Sequence, residues 1–141
     1  MELHKAWQEI NKDDDARVVI LHSCLPDIFC AGMDLKTAIP IMTRLREPEA
    51  EKDLMQFGKS TGEAMLKPNI VNKPVIAAIN GYCFTGGFEM VMGADLRIAS
   101  DAAVFQMREA VLGVLPMGGI QCLSSPDAWL LPRHGDSTDR K

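Results

Sequence analysis

Two glutamates in apolar surroundings are the residues of this sequence best suited to chemistry. Glu89 follows two glycines in the stretch TGGFE, inside a pattern that otherwise predicts an apolar helix. Glu109 lies twenty residues later, in the largely apolar stretch FQMREAVLGVLPMGG. Burial moves the pKa of a carboxyl group towards neutrality, so two such groups can share the roles of general acid and general base. The pair therefore indicates proton-transfer chemistry.

Gly86 and Gly87 stand before Glu89 at the expected start of a helix. Amides in the first turn of a helix have no intrahelical partner, and glycine lets a ligand approach the backbone closely. The phosphate-binding patterns GxGxxG and GxxxxGK followed by Ser or Thr are both absent. Taken alone, this stretch is explained equally well by a tight turn with an incidental acidic residue.

A second glycine-containing loop favours the catalytic interpretation. The stretch IFCAGMDLK (residues 28–36) also stands at a predicted helix entrance, after another buried strand. One amide from each of two such loops can bind the same oxygen atom, and together they then form an oxyanion hole. The two loops and the two glutamates are consistent with one site.

The elements that must position these residues alternate between helix and strand. Residues 26–36 and 80–87 are expected to be loops, the first of them entering a short helix. The remaining periodicity predicts helices at residues 2–11, 49–67 and 87–94, and buried strands at residues 18–21, 75–79 and 96–100. This alternation predicts one α/β domain.

Composition argues against several functional classes. A net charge of −4 over 141 residues provides no electrostatic basis for binding nucleic acid or an anionic membrane. No apolar run approaches the length of a membrane span, and the N-terminal stretch resembles neither a secretory signal nor a transit peptide. The four cysteines show no CxxC spacing, so no metal site is expected. A cytoplasmic or organelle-matrix protein with reduced thiols is expected.

Three strings taken together resemble the crotonase superfamily, and specifically its enoyl-CoA hydratase/isomerase family. They are FCAGMDLK, KPVIAAINGYCFTGGFEMVMGADLRIAS and FQMREAVLGVLPMGG, and the resemblance covers roughly residues 2–119 in the family's order and spacing. It implies a spiral of ββα units, here incomplete, that assembles as trimers or hexamers. It also implies an acyl-CoA thioester as substrate, no metal or redox cofactor, and a place in fatty-acid β-oxidation.

The resemblance implies a role for each site residue. Met33 and Gly86 would donate the two oxyanion-hole amides, while Glu89 and Glu109 would hold the reacting water between them. Glu89 would activate this water, and Glu109 would exchange the proton at the α-carbon. Asp34 is expected to cap or orient the loop helix rather than to react. The residues expected near the substrate are Ala31, Asp34, Leu35, Gly87, Pro116 and Gly118.

The presence of both glutamates favours a hydratase, which adds water across the 2,3 double bond of an enoyl-CoA. Two alternatives stay open. One is another crotonase activity, such as an enoyl-CoA isomerase or an acyl-CoA hydrolase. The other is a catalytically inactive fragment that binds only acyl-CoA or a paralogue.

The ends of the chain depart from the family pattern. The resemblance begins in the helix that follows the family's first strand, so the chain is expected to be truncated at both ends. Residues 120–141 show no resemblance and are expected to form a disordered tail. Permitted codons for this tail, read one base downstream, spell a string containing AMEILLTG, which resembles the family's next segment. We therefore hypothesise that the tail is an out-of-frame product.

Overall fold

The computed structural model describes residues 2–43, 58–66 and 70–116. The predicted alternation of helix and strand is confirmed in these ranges. The elements, in chain order, are α1 (Glu2–Lys12), β1 (Val19–His22), β2 (Ile28–Cys30), α2 (Leu35–Met42), α3 (58–64), β3 (Val75–Ile79), β4 (Tyr82–Phe84), α4 (Gly86–Val91), β5 (Leu96–Ala99), β6 (Val104–Gln106) and a 3-10 turn (Ala110–Leu112).

The six described strands form two parallel three-stranded sheets. Sheet A has the order β1-β3-β5, and sheet B has the order β2-β4-β6. Consecutive strands therefore alternate between the two sheets. Each successive pair of strands adds one strand to sheet A and one strand to sheet B. This arrangement is the spiral of ββα units that the resemblance implied.

Two predicted loops each contain a short strand. The segment 26–36 includes β2, and the segment 80–87 includes β4. Strand β6 was also not predicted. Each of these strands has three residues, which is too short for the alternation of apolar and polar residues to show, and flanking Pro, Asn and Gly favour loops. Of the helix predicted at 49–67, residues 58–64 are helical, while residues 49–57 and 67 lie outside the described residues.

The core lies on one face of sheet A and is closed by helices α1 and α4. In β3, Val75, Ala77 and Ile79 alternate into this core. Trp7 of α1 is buried with them, and its Nε1 donates a hydrogen bond to the carbonyl oxygen of Ala64 at 3.3 Å. This bond fastens α3 to α1.

The opposite face of sheet A is apolar but exposed in the described part of the chain. Ile20, Leu96 and Ile98 are 61%, 59% and 63% exposed. The prediction of buried strands therefore holds for one face only, because a continuous apolar run does not say which side of a strand the fold covers.

The loops that follow β2 and β4 pack against each other without space for a Cβ atom. Gly32 has a φ of +97°, and a Cβ added to it would collide with Oγ1 of Thr85. A Cβ added to Gly87 would lie 2.5 Å from Cβ of Cys30. Glycine is therefore required at both positions, and at Gly32 also by its left-handed backbone.

We predict that Gly32→Ala lowers the free energy of unfolding by about 2 to 4 kcal/mol, because it combines backbone strain with overpacking. The matched control is Gly58→Ala, since Gly58 is helical and a Cβ there meets nothing within 4 Å. This control should be neutral or stabilising by up to about 1 kcal/mol. Urea unfolding followed by circular dichroism measures both, and equal effects would contradict the packing described above.

The thiol of Cys83 is shielded inside sheet B. It is fully buried, and desolvation together with the neighbouring Cys30 raises its pKa to about 12. Because the thiolate is the reactive form, we predict that iodoacetamide at pH 8.5 alkylates the exposed Cys24 and spares Cys83 in the native protein. Peptide mass spectrometry reads the labels, with a sample in urea as the control. Native alkylation of Cys83 at the rate of Cys24 would be inconsistent with this burial.

Candidate active site

The predicted catalytic residues follow the carboxyl ends of the three strands of sheet B. Ala31–Asp34 follow β2, Thr85–Gly87 follow β4, and the segment leading to Glu109 follows β6. These strands are parallel neighbours, so the three segments leave the sheet at the same edge. In open α/β sheets this is the edge where ligands bind.

Asp34 anchors the first loop to the start of α2. One carboxylate oxygen accepts a hydrogen bond from the amide of Lys36 at 3.0 Å, and the other accepts one from Oγ1 of Thr37 at 2.8 Å. Its carbonyl oxygen also accepts a bond from the amide of Ala38 at 2.9 Å. Asp34 thus caps the helix, as expected, and fixes the backbone immediately after Met33.

The second loop is bonded on both sides. The amide of Thr85 donates to the carbonyl oxygen of Gln106 at 2.9 Å, which joins the loop to the end of β6. The carbonyl oxygen of Thr85 accepts a bond from the amide of Glu89 at 2.9 Å, which joins it to α4. At the other end of α4, Nη1 of Arg97 donates to the carbonyl oxygen of Val91, the last residue of the helix, at 3.3 Å. Loop and helix are therefore held as one unit.

The two loops bring the amides of Met33 and Gly86 to one gap. A Cβ placed on Gly86 would lie 3.9 Å from the amide nitrogen of Met33. Within residues 2–43, 58–66 and 70–116, neither of these amides donates to another backbone group. Met33 and Gly86 are both half-buried, so their open amides stand on anchored loops at the rim of the core. Such a pair can hold an oxygen atom that gains negative charge.

Both glutamates are buried in the segments that follow β4 and β6. Glu89 in α4 is 3% exposed and Glu109 is 9% exposed. Oε2 of Glu109 is buried and has no hydrogen-bond partner among the described residues. An unsatisfied buried carboxyl oxygen is costly, and such groups are common where a protein must bind water or substrate.

The segments that carry the glutamates are joined to each other. Besides the bond from Thr85 to Gln106, the ring of Phe88 packs against that of Phe105 with 5.4 Å between their centroids. Glu89 directly follows Phe88, and Glu109 lies three residues beyond the end of β6. Because β2, β4 and β6 are parallel neighbours, the segments that carry Glu89 and Glu109 leave sheet B at the same edge as the loop after β2.

The remaining predicted site residues differ in how far they are exposed. Ala31 and Leu35 are exposed at the first loop, while Gly87 is buried against Cys30. Pro116 is half-buried, and Gly118 lies outside the described residues. Across the described ranges, no three His, Cys, Asp or Glu side chains come together as a possible metal site, and no helix is long and apolar enough to cross a membrane.

Met65 is a site residue that sequence reasoning missed. Its terminal methyl carbon would lie 3.2 Å from a Cβ on Gly86, so it forms an apolar wall beside the open amide. Leu66 ends this helical segment with a φ of +60° and packs on Gly93. No local pattern in the sequence could identify Gly86 as the neighbour of Met65.

Thr85 was also missed. It is a non-glycine residue with a φ of +48°, and a backbone conformation of this kind leaves no signal in composition or periodicity.

Known proteins match this chain over most of its length. The family profile described as enoyl-CoA hydratase/isomerase matches residues 1–125. This match extends past residue 119, where the sequence predicted that the resemblance to the family ends. The predicted boundary and the predicted tail at residues 120–141 lie outside the described residues. A carnitinyl-CoA dehydratase of Proteus mirabilis is 39% identical over 118 residues, which cover 84% of this chain and 42% of the relative. The enoyl-CoA hydratase EchA19 of Mycobacterium tuberculosis is 39% identical over 115 residues, which cover 82% and 41%.

Solved structures agree with these sequence relatives. Pseudomonas aeruginosa DspI superimposes with a TM-score of 0.69 at 30% identity, covering 86% of this chain and 46% of that protein. An enoyl-CoA hydratase of Bacillus anthracis superimposes with a TM-score of 0.66 at 33% identity, covering 84% and 43%. The chain thus spans less than half the length of these relatives. By profile, sequence identity and fold, it belongs to the enoyl-CoA hydratase/isomerase family of the crotonase superfamily.

Proposed function

We propose that this chain carries the site of an enoyl-CoA hydratase, which adds water across the 2,3 double bond of an enoyl-CoA thioester. The observation that carries the proposal is the pair of open amides, at Met33 and Gly86, on the sheet edge that also holds two buried glutamates. Neither feature alone specifies hydration, but together they supply a place for negative charge and two groups for moving protons.

The amides hold the thioester oxygen. When water attacks C3, electron density moves through C2 onto this oxygen and forms an enolate. Donors that are already anchored stabilise the new charge without reorganising, and removal of one such donor typically costs about 10²- to 10³-fold in rate. The cap at Asp34 and the bonds of Thr85 provide this anchoring.

The glutamates transfer the protons. Glu89 accepts a proton from the water as its oxygen bonds to C3, and Glu109 supplies a proton to C2 as the enolate collapses. The product is a 3-hydroxyacyl thioester, in which C3 carries the hydroxyl group and C2 carries the added hydrogen. Glu89 has then gained a proton and Glu109 has lost one, and a proton exchange between the two carboxyl groups restores their starting states. The unpartnered Oε2 of Glu109 is available for this exchange.

The names of the relatives are consistent with this chemistry. One matching protein is named an enoyl-CoA hydratase and another a carnitinyl-CoA dehydratase, and these activities move water onto and off a CoA thioester. The apolar wall formed by Met65 suits an acyl chain better than a polar group.

We predict that the full chain hydrates crotonyl-CoA and that Glu89→Gln and Glu109→Gln each lower kcat by about 10²- to 10⁴-fold, with a smaller change in KM. Glutamine keeps the size of the side chain but cannot exchange the proton. The matched control is Glu9→Gln, since Glu9 is exposed on α1 and should leave kcat unchanged. Loss of the ultraviolet absorbance of the conjugated thioester measures the reaction.

Two results would overturn the proposal. Turnover that survives in both glutamine variants of the site would show that the carboxyl groups do not move the protons. A wild-type chain that binds crotonyl-CoA without turning it over would behave as the inactive acyl-CoA-binding fragment instead. Circular dichroism of every variant ensures that an unfolded sample is not scored as an inactive one.

A further inference from the structure

Thr85 holds a backbone conformation that its side chain disfavours. Its φ is 48° and its ψ is −119°, a region that glycine occupies readily and a β-branched residue rarely enters. Backbone outliers of this kind persist only where surrounding contacts impose them, and they concentrate at functional sites. The contacts made by Thr85 must therefore hold its backbone in this conformation.

Backbone bonds tie Thr85 to both segments that carry the glutamates. Its amide is bonded to Gln106, at the end of the strand that leads to Glu109, and its carbonyl oxygen is bonded to the amide of Glu89. The peptide between Thr85 and Gly86 also contains the open amide of Gly86. The strained dihedral angles of Thr85 thus set the direction in which this amide points.

The side chain of Thr85 reaches the other loop. Oγ1 fills the space above Gly32 that a Cβ would otherwise occupy, and Gly32 immediately precedes Met33 in the chain. The hydroxyl makes no capping bond to its own helix α4. Its contact is therefore directed across the gap, towards the backbone that carries the second open amide.

We propose that Thr85 is a positioning residue that couples the two loops. Its strained backbone orients the amide of Gly86, and its Oγ1, seated on Gly32, sets the distance to the amide of Met33. The catalytic consequence of this coupling rests on the proposed hydratase function, whereas the mechanical coupling does not.

The strain and the coupling predict opposite responses to Thr85→Gly. Glycine relieves the backbone strain, so the midpoint of thermal unfolding rises, by roughly 3 °C or more. Loss of Oγ1 frees the first loop, so amide hydrogen exchange in a peptide covering residues 31–35 becomes faster, while a peptide covering β3 keeps its exchange rate. A residue that only stabilises the fold would move both readouts in the same direction.

Two conservative variants separate the parts of the side chain. Thr85→Ser keeps Oγ1 and should keep the wild-type exchange of residues 31–35. Thr85→Ala keeps the strained backbone but lacks Oγ1, so it should speed this exchange without the rise in the thermal midpoint. In crotonyl-CoA hydration, the Gly and Ala variants should lose about 10- to 100-fold in kcat with KM near wild type, and Ser should restore most of it.

The results separate this inference from the proposed function. A lower thermal midpoint for Thr85→Gly, or wild-type exchange at residues 31–35 in both the Gly and Ala variants, overturns the coupling by Thr85. If the wild-type chain does not hydrate crotonyl-CoA, the proposed function fails, and the unfolding and exchange measurements still decide whether Thr85 couples the loops.

Discussion

The parallel pairing of β2, β4 and β6 is the constraint on which the rest of the site depends. Parallel strands end at the same edge of a sheet, so three segments that are distant in sequence leave sheet B side by side. Each segment then contributes one part of the site. The first brings the amide of Met33, the second brings the amide of Gly86 together with Glu89, and the third brings Glu109.

Pairing alone would leave these segments as ordinary surface loops. Close backbone packing turns them into a fixed arrangement, because glycine at positions 32 and 87 lets the loop after β4 settle directly on the loop after β2. Among the polar groups left open in the described residues are the amides of Met33 and Gly86 and one carboxyl oxygen of Glu109. Leaving these groups unpaired costs stability, and this cost is what a binding site requires before its ligand arrives.

Sequence reasoning was most successful where the pattern was long or the motifs were linked. Strand β3 was predicted with its observed ends, because five apolar residues stand between clear breaks. The three-residue strands β2 and β4 were hidden by their glycine, proline and asparagine neighbours. The three linked motifs predicted membership of the enoyl-CoA hydratase/isomerase family, which the profile match confirms, whereas the roles of Met33, Gly86, Glu89 and Glu109 stay predictions. The contacts of Met65 and the strain at Thr85 arise from tertiary packing, which no local pattern encodes.

The central claim is that the amides of Met33 and Gly86 bind the thioester oxygen. Infrared difference spectroscopy of crotonyl-CoA carrying a ¹³C-labelled carbonyl tests this claim most directly, because hydrogen bonds to the oxygen weaken the carbonyl bond. The account predicts that the carbonyl stretch moves to a lower frequency when the thioester binds the full chain. A carbonyl band that keeps its solution frequency in the bound state would contradict it.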